Sequence, residues 1–217
     1  MNLDTPFVTE PPYECERCPR LRQFILDNRL KYPSFFNGPV PSFGDADAEL
    51  LIIGLAPGLK GANATGRPFT GDYAGDLLYE TLAEFDLSNG MYEGSANDGL
   101  ALKRAMITNA VRCVPPQNKP IGEEINTCRD YLISQMKALP HLKALLCLGK
   151  ISHDSTIRSL GLKLKDHPFA HNVAYDLEGG VTLFSSYHCS RYNTNTKRLT
   201  EKMFHDVFRA IKSHIDE

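Results

Sequence analysis

Three stretches of this sequence gather side chains able to hold and activate a ligand, and a scattered set of cysteines is spaced to bind metal. The first stretch is Gly54-Leu55-Ala56-Pro57-Gly58-Leu59-Lys60-Gly61-Ala62-Asn63. It is not a phosphate loop, because Lys60 is not followed by Ser or Thr, and it lacks the Gly-x-Gly-x-x-Gly of a dinucleotide site. Its glycines allow a ligand close to the backbone, where N–H groups meet developing negative charge, or they simply make a tight turn. The second stretch, Thr65-Gly66-Arg67-Pro68-Phe69-Thr70-Gly71-Asp72, sets a cation, an aromatic ring and a carboxylate in one glycine-hinged loop. Each has a plainer reading: Phe69 as core, Arg67 as a solvated charge, Asp72 as the cap of a helix starting near Gly75. The third, Ser186-Tyr187-His188-Cys189-Ser190-Arg191-Tyr192-Asn193-Thr194-Asn195, is rich in donors and rings. Lys197 and Arg198 follow, where side chains or a positive helix start could hold phosphates. A lone histidine such as His188 is more often structural, and the six other histidines have no matching companions.

Cys15 and Cys18 form a Cys-x-x-Cys, while Cys113 and Cys128 lie far downstream with fourteen residues between them. A tight turn lets the first pair bind one metal, and the second pair brackets the Pro-rich loop from Val114 to Pro120. A zinc knuckle brings a second short pair, so this spacing is closer to an iron–sulfur site; alternatively Cys128, on an apolar helical stripe, is plain core. Cys147, within Ala-Leu-Leu-Cys-Leu-Gly, reads as a small buried hydrophobe. Cys189 adjoins His188, but neighbours on an extended chain point to opposite sides, which argues against a catalytic Cys–His pair.

These residues follow recognisable elements. Four nearly continuous apolar runs, Leu50 to Leu55, Ala105 to Val111, Ala144 to Leu148 and Val181 to Ser185, read as strands buried on both faces. Helical periodicity links Leu78, Leu82 and Phe85, then Ile125, Cys128, Leu132 and Met136, then Met203, Val207 and Ile211. The alternation predicts an α/β fold: a three-layer sandwich whose central four-stranded parallel sheet is flanked by helices. Ligands bind beyond the carboxyl ends of such strands, where the three stretches lie. No repeat or linker divides residues 1–217, which read as one domain; residues 1–48, Pro-rich and less regular, read as a wrap with a short helix around Leu21 to Asn28.

A formal net charge of −2 over 217 residues excludes a generally basic nucleic-acid binder, so any contact with DNA must come from a local patch. The opening MNLDTPF lacks a signal peptide's basic-then-apolar pattern, and no run of about 18 apolar residues occurs. The expectation is a cytoplasmic protein without membrane contact, whose six cysteines serve as ligands or core rather than disulfides.

Taken together, GLAPGLKGANATGRPFTGD, TNAVRCVPPQNKP and SSYHCSRYNTNTKRLT resemble the iron–sulfur uracil-DNA glycosylases, most closely their family 5. The resemblance spans the chain in order, from the Cys15/Cys18 pair through Pro39-Val40-Pro41 to the final helix. It implies a [4Fe–4S] cluster on Cys15, Cys18, Cys113 and Cys128, with a structural role, and excision of uracil and other deaminated bases such as hypoxanthine from double-stranded DNA. Better-known families carry a polar or acidic residue where this chain has Leu55-Ala56-Pro57. That gap characterises family 5, and the resemblance points to Asp72 as the compensating carboxylate and to Asn109 as a contact to the base. The expected mechanism has Phe69 stacking on a flipped base, Asn109 bonding its edge, and the turn containing Gly54, Leu55, Ala56, Gly58 and Asn63 closing the pocket. His188 donates to the departing base, Asp72 stabilises the cationic sugar or orients water, and Ser190, Arg191, Lys197 and Arg198 hold phosphates. No lysine suggests a Schiff base, so a monomeric, monofunctional enzyme is expected. Three alternatives remain: a non-catalytic metal-containing nucleic-acid-binding module, a uracil-restricted family 4 enzyme, and a zinc protein.

Overall fold

The computed structural model describes residues 8–217; the first seven residues of the expected wrap lie outside the described part. The elements run α1 (Pro19–Lys31), β1 (Phe43–Gly44), β2 (Leu50–Gly54), α2 (Ala62–Thr65), α3 (Tyr73–Glu84), β3 (Ser88–Asn89), β4 (Ala101–Leu102), β5 (Ala105–Asn109), α4 (Gly122–Ala138), β6 (Ala144–Leu148), α5 (Lys150–Ser159), β7 (Val173–Asp176), β8 (Thr182–Ser186), α6 (Arg191–Asn195) and α7 (Glu201–Ile215). The main sheet has the order β1-β5-β2-β6-β8-β7. Its four central strands are parallel, as the apolar runs predict. Two antiparallel edge strands, β1 on β5 and β7 on β8, correct the expected four-stranded sheet to a six-stranded mixed one. Edge strands need cover only one face, and β7 alternates half-buried and exposed residues instead of forming an apolar run. A separate ribbon pairs β3 with β4.

Every residue of the four parallel strands is buried, and successive residues feed opposite layers. Leu50, Ile52, Ile107, Leu146 and Phe184 pack with Leu78 and Leu82 of α3 and Phe204, Val207, Phe208 and Ile211 of α7. Leu51, Ile53, Met106, Leu145, Cys147 and Leu183 face the other way, onto Leu132 and Met136 of α4 and Ile157 of α5. Helix α7 holds its place through a stripe at i, i+3, i+4 and i+7 and through Thr200, whose hydroxyl caps its first turn. Helix α5 was not expected from periodicity, because the face it buries carries Ser152, His153, Ser155 and Thr156.

The connection between α2 and α3 is fixed by a buried ion pair. Arg67 lies in a box of aromatic rings, with its guanidinium 5.0 Å from the Phe43 ring centroid, 5.4 Å from Tyr79 and 5.8 Å from Tyr92. Two parallel 2.7 Å bonds join it to Asp98, whose side chain is 0% exposed. The expectation of a solvated Arg67 is therefore corrected: its partner stands 31 residues downstream in a loop the local pattern does not connect to it. The hydrogen bonds from Arg67 hold the Asp98 carboxyl well below its ordinary value of 3.8.

Breaking a buried pair strands the surviving charge, at a typical cost of roughly 3–5 kcal/mol. Asp98→Asn is expected to lose stability on that scale in urea unfolding. A carboxyl with a lowered folded pKa contributes stability above its unfolded pKa and loses it as pH falls through the folded value. The gap between wild type and Asp98→Asn should thus be constant above the ordinary carboxylate range and narrow in stronger acid.

Candidate active site

The carboxyl ends of β2, β5 and β8 open into one cleft of about 370 Å³, a size usual for small-molecule sites. Leu55, Ala56, Pro57 and Gly58 line it from the turn after β2, Phe69 and Asp72 from the loop before α3, Asn109 from the tip of β5, and His188 and Ser190 from the segment after β8. Phe69, Asn109 and His188, from three separate strand ends, face the same space.

Each is positioned by a specific constraint. Asn109 is opposite Gly54 in the parallel register. A Cβ on Gly54 would stand 2.3 Å from Asn109 Oδ1 and 2.8 Å from the Phe69 ring, so the missing side chain lets amide and ring close on the same point. Phe69 has φ of 54°, unusual for a bulky residue. Its turn is clamped by hydroxyls: Tyr79 donates to the Pro68 carbonyl at 2.6 Å and Tyr92 to the Phe69 carbonyl at 3.3 Å. The His188 ring lies 5.9 Å from the Phe69 ring, 24° from parallel. Burial alone pulls the His188 pKa down to about 4, so the imidazole is neutral near neutrality.

Asp72 caps α3, as its plainer reading has it, and also lines the cleft. Its Oδ1 accepts from the backbone N–H of Ala74 and of Gly75, capping α3. Its Oδ2 lies against the Gly58–Gly61 turn, where a Cβ on Gly61 would come within 2.6 Å of it. Burial raises its pKa, opposed by the two N–H bonds.

Gly54 and Asn63, expected to touch the ligand, do not line the cleft. Gly54 stands behind its wall, and Asn63 lies within α2 with its amide turned to the Asn37 side chain, 2.9 Å away. Ser190 and Arg191 are at the rim, whereas Lys197 and Arg198 do not line it; Arg198 packs over the Tyr187 ring at 4.7 Å. Three lining residues outside the three stretches escaped the sequence reading as site residues, Tyr73, Ala74 and Asn118. The signal for Asn118 was its place in a Pro-rich loop, since asparagine tolerates the left-handed backbone that it and Gln117 adopt there. Cys189 is fully buried and directs its thiol to the Ala74 carbonyl, away from His188 chemistry.

Cys15, Cys18, Cys113 and Cys128 line a second cavity with Arg17, Leu21, Arg112 and Tyr131. Among the described residues no histidine, aspartate or glutamate borders it. Among the described residues no group of three or more His, Cys, Asp or Glu forms a ready-made site for a metal ion, so the four thiols surround a space without closing on one point. Burial, and then the neighbouring thiols, push the Cys18 pKa up to about 11 and raise Cys113 similarly. The backbone N–H of Arg112 donates to Cys128 Sγ at 3.4 Å.

The sequence profile of the Uracil DNA glycosylase superfamily matches residues 41–212. The chain is 41% identical over 203 residues to the type-5 uracil-DNA glycosylase of Thermus thermophilus, covering 91% of this chain and 92% of that one. It is 38% identical over 206 residues to the type-5 enzyme of Mycobacterium bovis, covering 91% and 77%. Similarity to the type-4 enzyme of Saccharolobus solfataricus is lower, 28% over 219 residues, covering 98% and 88%. A parallel sheet that gathers an aromatic ring, an amide, a carboxylate and an imidazole at its strand ends, in a chain with these relatives, belongs to the uracil DNA glycosylase superfamily and, within it, to the type-5 uracil-DNA glycosylases.

Proposed function

We propose that this chain is a monofunctional, monomeric glycosylase that takes uracil out of double-stranded DNA and hydrolyses its N-glycosidic bond, the opening step of base excision repair. The observation that carries the reading is the convergence of Phe69, Asp72, Asn109 and His188 on one cleft. A stacked base is out of reach, so the nucleotide swings into the cleft, most cheaply from a mispair. Phe69 offers its face to the base and Asn109 its amide to the base edge. The Leu55-Ala56-Pro57 wall carries no side-chain donor or acceptor, and a site with few fixed polar readers discriminates weakly between related bases. Hypoxanthine is accordingly a second substrate.

Bond cleavage leaves positive charge on the sugar and negative charge on the base. A neutral His188 donates a hydrogen bond to the departing base without surrendering a proton, an interaction stronger in the transition state than in the ground state. The Asp72 Oδ2, free of the capping role, orients water or faces the cationic sugar. Lysine is absent from the cleft lining, in keeping with release of an abasic site rather than strand cleavage. Ser190 and Arg191 at the rim, with Lys197 and Arg198 beyond, hold phosphates.

Cys15, Cys18, Cys113 and Cys128 hold a [4Fe–4S] cluster. The four thiols on one cavity and the N–H aimed at Cys128 Sγ suit such a group. It would tie the segment before α1 to the loop after β5 and to α4, and supply no chemistry at the base. Residues 1–217 then act as one unit in the cytoplasm, where thiols stay reduced.

Duplexes containing uracil or hypoxanthine opposite G, A and T test the reading by base release. Retained binding with no release on any duplex favours the non-catalytic module, and release of uracil alone favours the family 4 alternative. His188→Ala is expected to slow single-turnover release by about 100-fold or more. The wild-type rate should show no inflection near the ordinary histidine value of 6.5, with a protonation-linked change only as pH nears about 4. Asp72→Asn separates charge from capping, because asparagine caps a helix as well as aspartate does. Single-turnover release by this variant is expected to fall on the order of 100-fold while the thermal midpoint stays near that of wild type; an unchanged rate removes Asp72 from the mechanism.

A further inference from the structure

Arg112 is buried to 1% exposure beside the four-cysteine cavity, which it helps to line. Its Nη1 donates to Glu10 Oε2 at 2.7 Å and its Nη2 to the Thr9 carbonyl at 3.2 Å. Its Nε is buried and has no acceptor among the described residues. The other cations at this cavity are committed elsewhere: Arg17 pairs with Asp130 and Arg22 with Glu14. Glu10, the carboxylate that faces Arg112, is 36% exposed and also accepts from the Ser42 N–H. A guanidinium withdrawn from water requires anionic company and acceptors for its donors, and one partly solvated carboxylate supplies only part of that.

We infer that Arg112 is the fixed counter-charge of the iron–sulfur cluster and turns its Nε–H to the cluster's sulfurs, a role that rests on the cluster reading above. A [4Fe–4S] core held by four thiolates bears net negative charge, and its stability and reduction potential respond to nearby charge and to hydrogen bonds at sulfur. Arg112 supplies both, from a backbone position that already gives an N–H to Cys128 Sγ. It is a positioning and tuning residue that does not line the base cleft.

The test uses the full chain purified without oxygen, as wild type, Arg112→Gln and Arg112→Lys. Iron and acid-labile sulfide per chain, the rate at which visible absorbance bleaches in air, and the cluster's midpoint potential are measured, with circular dichroism as the check on folding. Arg112→Gln is expected to bleach about tenfold faster, as for loss of an outer-shell partner, and to shift the midpoint to lower potential, because removing positive charge disfavours the added electron. Arg112→Lys, which keeps the charge and loses Nε, should recover the charge-dependent part of the midpoint shift and still bleach fast, a split that a merely structural role would not produce. A folded Arg112→Gln with wild-type bleaching or a wild-type midpoint overturns the inference. If that variant does not fold, Arg112→Lys decides, and bleaching at the wild-type rate overturns it. Wild-type protein without iron and sulfide refutes the cluster reading itself, an outcome distinct from failure of Arg112 alone.

Discussion

The site depends on the close approach of two parallel strand tips, β2 and β5, with nothing between them but the bare backbone of Gly54. The register fixes Gly54 against Asn109, and the space a side chain would need is already held by the asparagine oxygen and the Phe69 ring. Three functional demands meet at that point: the amide must reach the cleft, the ring must lie beside it, and the chain must still turn through Leu55-Ala56-Pro57-Gly58. Both tips are set by a sheet whose central strands are buried on both faces, so the geometry of the cleft is inherited from the most rigid part of the molecule.

What the sheet cannot fix, the ion-paired loop does. Phe69 adopts a backbone conformation that a bulky residue avoids, and such strain persists only when its surroundings over-determine it. Arg67, two residues earlier, is tied to Asp98 and enclosed by Phe43, Tyr79 and Tyr92. Both of those tyrosines also hold carbonyls, Tyr79 that of Pro68 and Tyr92 that of Phe69. A Cβ on Gly75 would fall 1.8 Å from the Phe69 oxygen, which shows how tightly the first turn of α3 closes on this loop. A buried ion pair adds little net stability. Here it gives orientation: two parallel bonds permit one arrangement of the loop, and with it one direction for the Phe69 ring.

The parallel strands and the amphipathic helices α3 and α7 were legible because their burial is made of apolar side chains at fixed periods. Helix α5 was not, because its inner face is polar, and Ser152, His153 and Thr156 on it are held by hydrogen bonds invisible to a hydropathy pattern. Ser152 donates to the Ile53 carbonyl at 2.5 Å, and His153 places Nδ1 2.7 Å from Ser185 Oγ and Nε2 2.8 Å from the His167 carbonyl. A carbonyl only accepts, so Nε2 carries the proton and Nδ1 takes the serine hydroxyl; this buried histidine is structural, as a lone histidine usually is. In the cleft, residue types announced Phe69, Asp72, Asn109 and His188, but not the direction in which a side chain leaves the backbone. Asn63 sits in the glycine-rich stretch yet belongs to α2, and faces the wrap at Asn37. Asn118 lies beyond the β5 tip, in the Pro-rich loop that leads away towards α4, yet reaches the cleft, because consecutive left-handed residues reverse that loop.

That loop joins the two cavities. Leaving the cleft at Asn109, the chain passes Arg112 and Cys113 beside the four-cysteine cavity, then returns at Asn118 to the cleft. Its far end is pinned from the N-terminal helix: Arg20 of α1 donates to the Lys119 carbonyl and makes a pair of bonds to Glu124, which in turn accepts from the Ile121 N–H at the start of α4. The segment from Asn109 to Asn118 is therefore anchored between a strand tip and a thiol cavity, with α1 bracing its far end. A group bridging Cys15 and Cys18 to Cys113 and Cys128 need never approach the substrate to matter for it. By fixing the middle of a loop whose two ends line the cleft, it limits how far Asn109 and Asn118 can move apart, and a cross-link can serve recognition in this way without taking part in the reaction.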